Sequence, residues 1–312
     1  MEFVLAIDLG GTNIKAGVVG ADGTIVAGRS VKTFVQRGPA KVLAAMVELA
    51  NGLKAACGRP ITRGGIGSPG PLDQARGVVC GSPNLPGWDA VPVVRTLEAG
   101  TGLKFVLEND ANAACLGEKL FGAGKPYDPI VHFTLGTGVG GGVFLNGKLF
   151  AGPSGAGAEL GHMCLDLDGP RCGCGSYGCL ETFASDTGIR AFVAAEAGRL
   201  PDSLLNNYAP ENVNFKTVME CRAKADPFAE EVYRRVVRAL GAGIASYVNI
   251  FNPQAVILSG GMINAGKPFF ADIETVMRQR AFKVLADGVV ILPSVLGDNT
   301  GVLGAAACVL GI

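Results

Sequence analysis

The sequence predicts an α/β fold made of two related halves, on three observations. A strand, glycine turn, strand, tight turn and strand open the chain; the same order recurs near its middle; and after each copy the apolar spacing alternates between helix and strand. In the first copy Phe3 to Asp8 reads as a strand and Leu9-Gly10-Gly11-Thr12 as the glycine turn. Ala16 to Val19, the Asp22-Gly23 turn and Thr24 to Gly28 complete it. In the second, Val131 to Leu135, Gly136 to Gly142, Val143 to Leu145, Asn146-Gly147 and Lys148 to Gly152 take the same places. Leu9-Gly10-Gly11-Thr12 aligns with Leu135-Gly136-Thr137-Gly138, and the third strands align after a small deletion. Glycine-rich hairpins are common enough that chance is the competing explanation.

The remaining elements follow in chain order. Val42, Met46, Leu49 and Leu53 fall at helical spacing, Ile61 to Ile66 and Leu103 to Leu107 read as strands, and a short helix spans Val91 to Ala99. In the second half Val232, Val236, Leu240, Ile244 and Val248 form one apolar stripe. The strand Ala255 to Ser259, a helix from Pro268 to about Arg280 and the strand Val289 to Leu292 come after it. Gly122, Gly124 and Pro126 punctuate the segment Leu116 to Asp128. The expected division is therefore an N-terminal lobe over 1–118, joined by a C-terminal helix over 298–312, and a larger lobe over 119–297.

The bulk numbers narrow the function. The 312 residues carry 27 Lys+Arg against 27 Asp+Glu, with no basic run, which argues against nucleic acid or an anionic membrane surface as a partner. No apolar stretch is long and unbroken enough to span a bilayer, since Asn249, Asn252 and Pro253 interrupt one and Gly301 to Ile312 is too short. Met1 leads almost directly into a strand with no signal-peptide pattern, so a cytoplasmic location is expected. The 47 glycines concentrate in loops, as close approach of backbone to a small ligand requires.

Turns that expose several backbone N–H groups cradle anions, and two of them facing each other across a cleft can grip the phosphates of one nucleotide. Neither turn is a Walker loop, because Gly136 to Gly142 lacks the Gly-Lys-Ser/Thr ending. Asp8, at the end of the first strand, is placed to hold Mg2+ directly or through water. Lys15 could reach a phosphate or stand solvated. In Glu108-Asn109-Asp110-Ala111-Asn112 a strand ends and a helix begins, so Asp110 meets the helix N-terminal N–H groups, which favour an ionised carboxylate. Alone, such an Asp is an ordinary N-cap. Beside two phosphate turns it fits the base that phosphoryl transfer to a hydroxyl needs.

His162, Cys172, Cys174 and Cys179 lie within eighteen positions of a glycine-crowded segment. Three thiols and an imidazole form a closed tetrahedral zinc set, and the glycines let the loop at 162–179 fold back on itself. A disulfide or inert buried thiols are the alternative, disfavoured by the odd count of nine cysteines. His132, on an apolar strand, reads as a core histidine.

Together Asp8-Leu9-Gly10-Gly11-Thr12, Glu108-Asn109-Asp110, Gly136-Thr137-Gly138-Val139-Gly140-Gly141-Gly142, Glu159-Leu160-Gly161-His162 and Cys172 to Glu181 resemble the ROK family of bacterial sugar kinases and sugar-responsive repressors. The resemblance runs the length of the chain. It implies the actin/hexokinase-like (ribonuclease H-like) fold, two duplicated α/β lobes with a cleft between them, and a place in carbohydrate metabolism and glycolysis. It implies Asp110 as catalytic base, and Asn84, Asn109, Asp110, Glu159, His162 and Glu181 as contacts to sugar hydroxyls. Asp8, Gly10, Gly11, Thr12, Lys15, Thr137, Gly138, Val139, Gly140, Gly260 and Gly261 fall to the nucleotide. ATP, Mg2+ and structural Zn2+ are the implied cofactors, and a homodimer or homotetramer the implied assembly.

A pyranose is a ring of hydroxyls, and amide and carboxylate side chains select its stereochemistry by leaving buried groups unpaired when a wrong epimer enters. The reaction expected is ATP-dependent phosphorylation of a hexose, with glucose at its 6-hydroxyl favoured by the Ser82-Pro83-Asn84-Leu85-Pro86-Gly87-Trp88 loop. Fructose, mannose, N-acetylmannosamine and N-acetylglucosamine are the alternatives. Trp88 reads as a packed aromatic ahead of a sugar-stacking one. A sugar-sensing regulator is the rival class, but its N-terminal helix-turn-helix has no room before a strand that starts at residue 3. His162 is expected to give one ring nitrogen to zinc and turn the other toward the sugar. On that reading, losing zinc loosens sugar binding far more than ATP binding.

Overall fold

In a computed structural model, in which residues 1–82 and 85–311 are described, the chain divides into two α/β units. The first comprises Met1–Tyr127, Gly142–Ala158 and Ser294–Ile312, and the second Asp128–Gly141 and Glu159–Pro293. The division thus departs from the one expected at residue 118: the first unit runs on to Tyr127 and takes back Gly142–Ala158.

The elements in chain order are β1 (Phe3–Leu9), β2 (Asn13–Gly20), β3 (Ile25–Lys32), α1 (Pro39–Cys57), β4 (Arg63–Ser68), a small hairpin of β5 (Leu72–Asp73) and β6 (Val78–Val79), α2 (Val93–Thr101), β7 (Lys104–Asn109) and α3 (Asp110–Phe121). There follow β8 (Ile130–Leu135), β9 (Val139–Leu145), β10 (Lys148–Leu149), α4 (Glu181–Ala184), α5 (Asp186–Glu196) and α6 (Phe215–Arg222). The last are α7 (Pro227–Phe251), β11 (Ala255–Ser259), α8 (Lys267–Arg280), α9 (Lys283–Ala286), β12 (Val290–Pro293) and α10 (Thr300–Leu310).

The duplication read from the two hairpins reappears in the topology. One sheet runs β3-β2-β1-β4-β7 and the other β10-β9-β8-β11-β12. Each begins with an antiparallel pair, β3 with β2 and β10 with β9, and ends in three parallel strands, β1-β4-β7 and β8-β11-β12. Two local expectations shift. Val91 is held extended by Val79, to whose carbonyl it donates at 2.9 Å, so α2 starts after Pro92. The strand expected over Lys148 to Gly152 is in register with β9 only to Leu149, with the Phe150 N–H still donating to the Val143 carbonyl at 2.8 Å before the chain turns at Gly152 with φ 66°.

Strand period fixes the core of the first unit. Phe3, Leu5, Ile7 and Leu9 point to one face of β1 and pack with Val42, Met46, Leu49 and Leu53 of α1, Leu97 of α2 and Trp88, which is 2% exposed. Trp88 is therefore a core residue. Val4 and Ala6 point the other way, onto Val302, Leu303, Ala305, Ala306 and Val309 of α10. Small residues set that contact: a Cβ on Gly65 would lie 1.9 Å from the carbonyl oxygen of Ala305, and one on Gly304 would lie 2.5 Å from that of Ala113 in α3. Only glycine lets α10 settle this close to β4 and α3. The C-terminal helix thus packs on the N-terminal strands.

In the second unit α7 buries the stripe Val232, Val236, Leu240, Ile244 and Val248. Asp226 caps it, accepting from the N–H groups of Phe228 and Ala229 at 2.9 Å, and Asn252 closes it in the left-handed conformation. His132 is buried in β8, in keeping with a core role. Among the described residues no helix is long and apolar enough to cross a membrane.

Candidate active site and metal loop

In the first unit the turn between β1 and β2 is held from beneath. Gly10 N–H donates to the Asn13 carbonyl at 3.0 Å, Thr33 Oγ1 donates to the Gly10 carbonyl at 2.6 Å, and Thr33 N–H donates to Thr12 at 3.0 Å. Among the described residues the N–H groups of Gly11 and Thr12 donate to none, as an anion cradle requires. Asp8 faces Lys15 across the hairpin, and Lys15 Nζ donates to the Asp298 carbonyl at 3.1 Å, just before α10. The Asp8 carboxylate lies against the first turn of α10, where a Cβ on Gly301 would come within 2.2 Å of its Oδ2. Burial, and then the negative charge of Asp110, push the Asp8 carboxyl up to about 6, with Lys15 pulling the other way.

At the junction of β7 and α3 the N-cap is Asn109: its Oδ1 accepts from the N–H groups of Ala111 and Asn112 at 3.0 and 3.2 Å. Asp110 is the first helical residue instead, and its Oδ1 shares the Ala111 N–H at 2.9 Å. Asp110 is open to solvent at its surface, yet the protein packed around it desolvates the carboxylate enough to raise its pKa above the usual range, against the pull of that N–H. Glu108 braces the junction, its Oε1 accepting from Gln74 Nε2 at 2.6 Å, Asn109 N–H at 2.9 Å and Asn112 Nδ2 at 3.2 Å. Asn84, expected at the sugar, lies outside the described residues.

In the second unit the four predicted metal ligands converge. One donor atom from each of His162, Cys172, Cys174 and Cys179 lies within 4.8 Å of all the others. His162 Nδ1 is 3.5 Å from Cys172 Sγ, and Cys174 Sγ is 3.7 Å from Cys179 Sγ. Tetrahedral zinc, with Zn–S of about 2.3 Å and Zn–N of about 2.0 Å, separates ligand sulfur from nitrogen by about 3.5 Å and two sulfurs by about 3.8 Å. The donor set and its spacing fit Zn2+, with Nδ1 as the ligating nitrogen and Nε2 left for another partner. The loop closes because Gly178, at φ 62°, passes so near Asp166 that a Cβ would fall 1.7 Å from its carbonyl oxygen.

The same unit ties this loop to the second glycine turn. Glu181, two residues past Cys179, accepts the Val139 N–H on Oε2 at 2.9 Å, while its Oε1 lies 3.7 Å from Cys172 Sγ. Asp186 N–H donates to the Gly136 carbonyl at 2.9 Å and Thr187 Oγ1 to the Thr137 carbonyl at 2.8 Å. From the other side Gly161 packs on Val139, where a Cβ would lie 1.9 Å from the carbonyl oxygen. Thr187 and Asp186 were invisible as site residues. The available signal was Ser185, which caps α5 through Gly188 N–H at 2.9 Å and so fixes where Asp186 and Thr187 point. Among the described residues the N–H groups of Thr137 and Gly138 donate to none. Gly260, at φ 89° after β11, lies beside the same turn, its Cβ position 2.2 Å from the Leu135 carbonyl oxygen.

The first unit therefore brings together Asp8, Gly10, Gly11, Thr12, Lys15, Asn109 and Asp110, and the second Thr137 to Gly140, Glu159, His162, Glu181, Gly260 and the zinc set. Known proteins carry the same plan. A glucokinase of Thermotoga maritima is 40% identical over 308 residues, 98% of this chain and 96% of that protein. A ROK hexokinase of Thermus thermophilus superposes with a TM-score of 0.85 at 35% identity, covering 98% of this chain and 97% of that one. A ROK glucokinase of Streptomyces griseus, solved with glucose and AMPPNP, gives 0.80 at 33% identity over 98% of both chains. The model of the ROK family matches residues 4–312. With a duplicated α/β architecture, paired glycine turns and a Cys3His loop matched from end to end by that family, the chain belongs to the ROK family.

Proposed function

We propose that this protein is an ATP- and Mg2+-dependent hexokinase that phosphorylates an aldohexose, glucose foremost, at its 6-hydroxyl. The observation that carries the reading is Asp110: a solvent-reached carboxylate of raised pKa, at the start of a helix and within electrostatic reach of Asp8. A base that must take a hydroxyl proton near neutral pH gains from such an upward shift. A glucokinase with 40% identity, and a related structure holding glucose and AMPPNP, support the substrates.

In the reaction the sugar hydroxyl oxygen forms a bond to the γ-phosphorus as its proton passes to Asp110, and the bond to the β-phosphate oxygen breaks to release ADP. Asn109 orients the hydroxyl through the amide left free by its cap. Glu159, His162 and Glu181 accept or donate to the other hydroxyls. Gly11, Thr12, Thr137 and Gly138 supply N–H groups to the phosphates, and Gly260-Gly261 borders the adenosine. Asp8 would hold Mg2+. That ion, when bound, neutralises charge on the transferring phosphoryl group. Zinc would be structural, ordering the segment from His162 to Glu181.

A cytoplasmic location and a homodimer or homotetramer complete the reading, the latter testable by light scattering. The deciding experiment is a panel of hexoses and N-acetylhexosamines with Mg-ATP, read as sugar phosphate formed. Glucose 6-phosphate is expected at the highest kcat/KM. No sugar phosphate from any member, together with a sugar-dependent shift of DNA in a gel, would replace the kinase with a regulator.

A further inference from the structure

Glu181 holds two assignments that compete for one carboxylate. In the structure its Oε2 accepts the Val139 N–H at 2.9 Å. In the reading above, the same carboxylate accepts from sugar hydroxyls. The seat on the turn is closely fitted, because a Cβ on Gly138 would come within 2.5 Å of Oε2, so only glycine leaves room for the carboxylate there. Thr137, Gly138 and Val139 form one run of backbone donors; the first two donate to no described residue, and the third is taken. A carboxylate on that N–H denies it to a phosphate and sets a negative charge beside the place a phosphate would occupy.

We propose that Glu181 is a latch on the nucleotide turn: with no sugar bound it caps the Val139 N–H, and sugar hydroxyls draw it away, opening that donor to ATP. Sugar binding thereby regulates nucleotide affinity through one carboxylate. The inference rests on the proposed kinase function, and in particular on Glu181 meeting the sugar. The segment around Glu181 is suited to such a change. Asp186 and Thr187 stay fastened to Gly136 and Thr137 by bonds of their own, so the turn keeps its shape when the carboxylate leaves. By linkage, the nucleotide must strengthen sugar binding by the same factor.

The test is calorimetric titration of AMPPNP with Mg2+ into the full-length protein, with and without saturating glucose, beside the Val139 amide resonance in 15N-labelled wild type. Glucose is expected to tighten AMPPNP about tenfold and to shift the Val139 amide. Glu181→Ala without sugar is expected to bind AMPPNP about as tightly as wild type with glucose. Nucleotide affinity unchanged or weaker in sugar-free Glu181→Ala overturns the latch. If that variant does not fold, the wild-type measurements stand alone: glucose that binds without moving the Val139 amide or the AMPPNP affinity overturns it equally. Wild type that binds neither glucose nor AMPPNP overturns the kinase reading, and the latch falls with it.

Discussion

Replacing Asp8 with Asn should make the protein more stable while destroying its proposed activity. Burial and the Asp110 charge raise the Asp8 pKa from 3.8 to about 6 in the folded protein. The folded state thus binds the Asp8 proton more tightly than the unfolded chain, so the ionised side chain costs stability. The cost is fully present above the folded pKa and vanishes below the unfolded one. A shift of about two units at 1.36 kcal/mol per unit gives a cost of about 3 kcal/mol at pH 8, falling to about 1.5 kcal/mol at pH 5. Asn keeps the shape against Gly301 without the charge. Asp8→Asn should therefore gain up to about 3 kcal/mol at pH 8 and about half that at pH 5, read by urea unfolding of the metal-free protein. Turnover with Mg-ATP should be lost in the same variant, because it lacks the carboxylate proposed to hold Mg2+. A variant no more stable than wild type at pH 8, or one whose gain does not shrink with falling pH, would refute the argument that Asp8 is held ionised at a cost.

Four further outcomes follow from the geometry. Asp110→Asn should lower kcat by about 10²- to 10⁴-fold while calorimetry finds sugar affinity within a few-fold of wild type; retained turnover would remove Asp110 as the base. Because the Asp110 pKa is raised, the acid limb of kcat/KM should fall at a pH above the ordinary carboxylate range, and a limb at pH 4 or lower would contradict its assignment. Zinc removal, or Cys174→Ala, should weaken glucose by calorimetry far more than AMPPNP, since the bonds from Asp186 and Thr187 keep the Gly136 to Val139 turn in shape when Glu181 is loosened from the Val139 N–H. Equal losses in both, or no loss in either, would argue against the metal loop acting on the sugar side. Gly304→Val should cost about 1–3 kcal/mol in urea unfolding by forcing α10 off Ala113, and an unchanged midpoint would deny the close packing.

The features legible in the sequence are those written in local chemistry. The apolar run of β1, helical spacing in α1 and α7, and ligands spaced within one loop all declare themselves over a few residues, and the structure returns them nearly unchanged. The duplication was legible because glycine and turn residues mark both hairpins at matching offsets. What sequence reasoning missed are contacts that join distant segments. Glu181 and Val139 meet across 42 positions, and nothing in the residue types near either names the other. The return of Gly142–Ala158 to the first unit was equally hidden. It depends on Gly142 lying where a Cβ would meet Cys115 at 2.6 Å, a fact about packing space that no spacing rule contains. Asp110 could be read only as cap or base; the neighbouring Asn109, an equally good capping residue, takes the cap and frees it.

The seating of α10 against β1 and β4 has a consequence for the order in which the protein can be made. Until residues 300–310 leave the ribosome, Val4, Ala6 and Val19 lack the helix that covers their side of the sheet and keep only Ile25, Phe121 and Leu296 against it. The first unit to be synthesised is then the last to be completed, because it takes in Ser294–Ile312 after the second unit has ended at Pro293. A nascent chain halted before Thr300 should expose that strand face to chaperones, and the second unit would be protected from protease before the first.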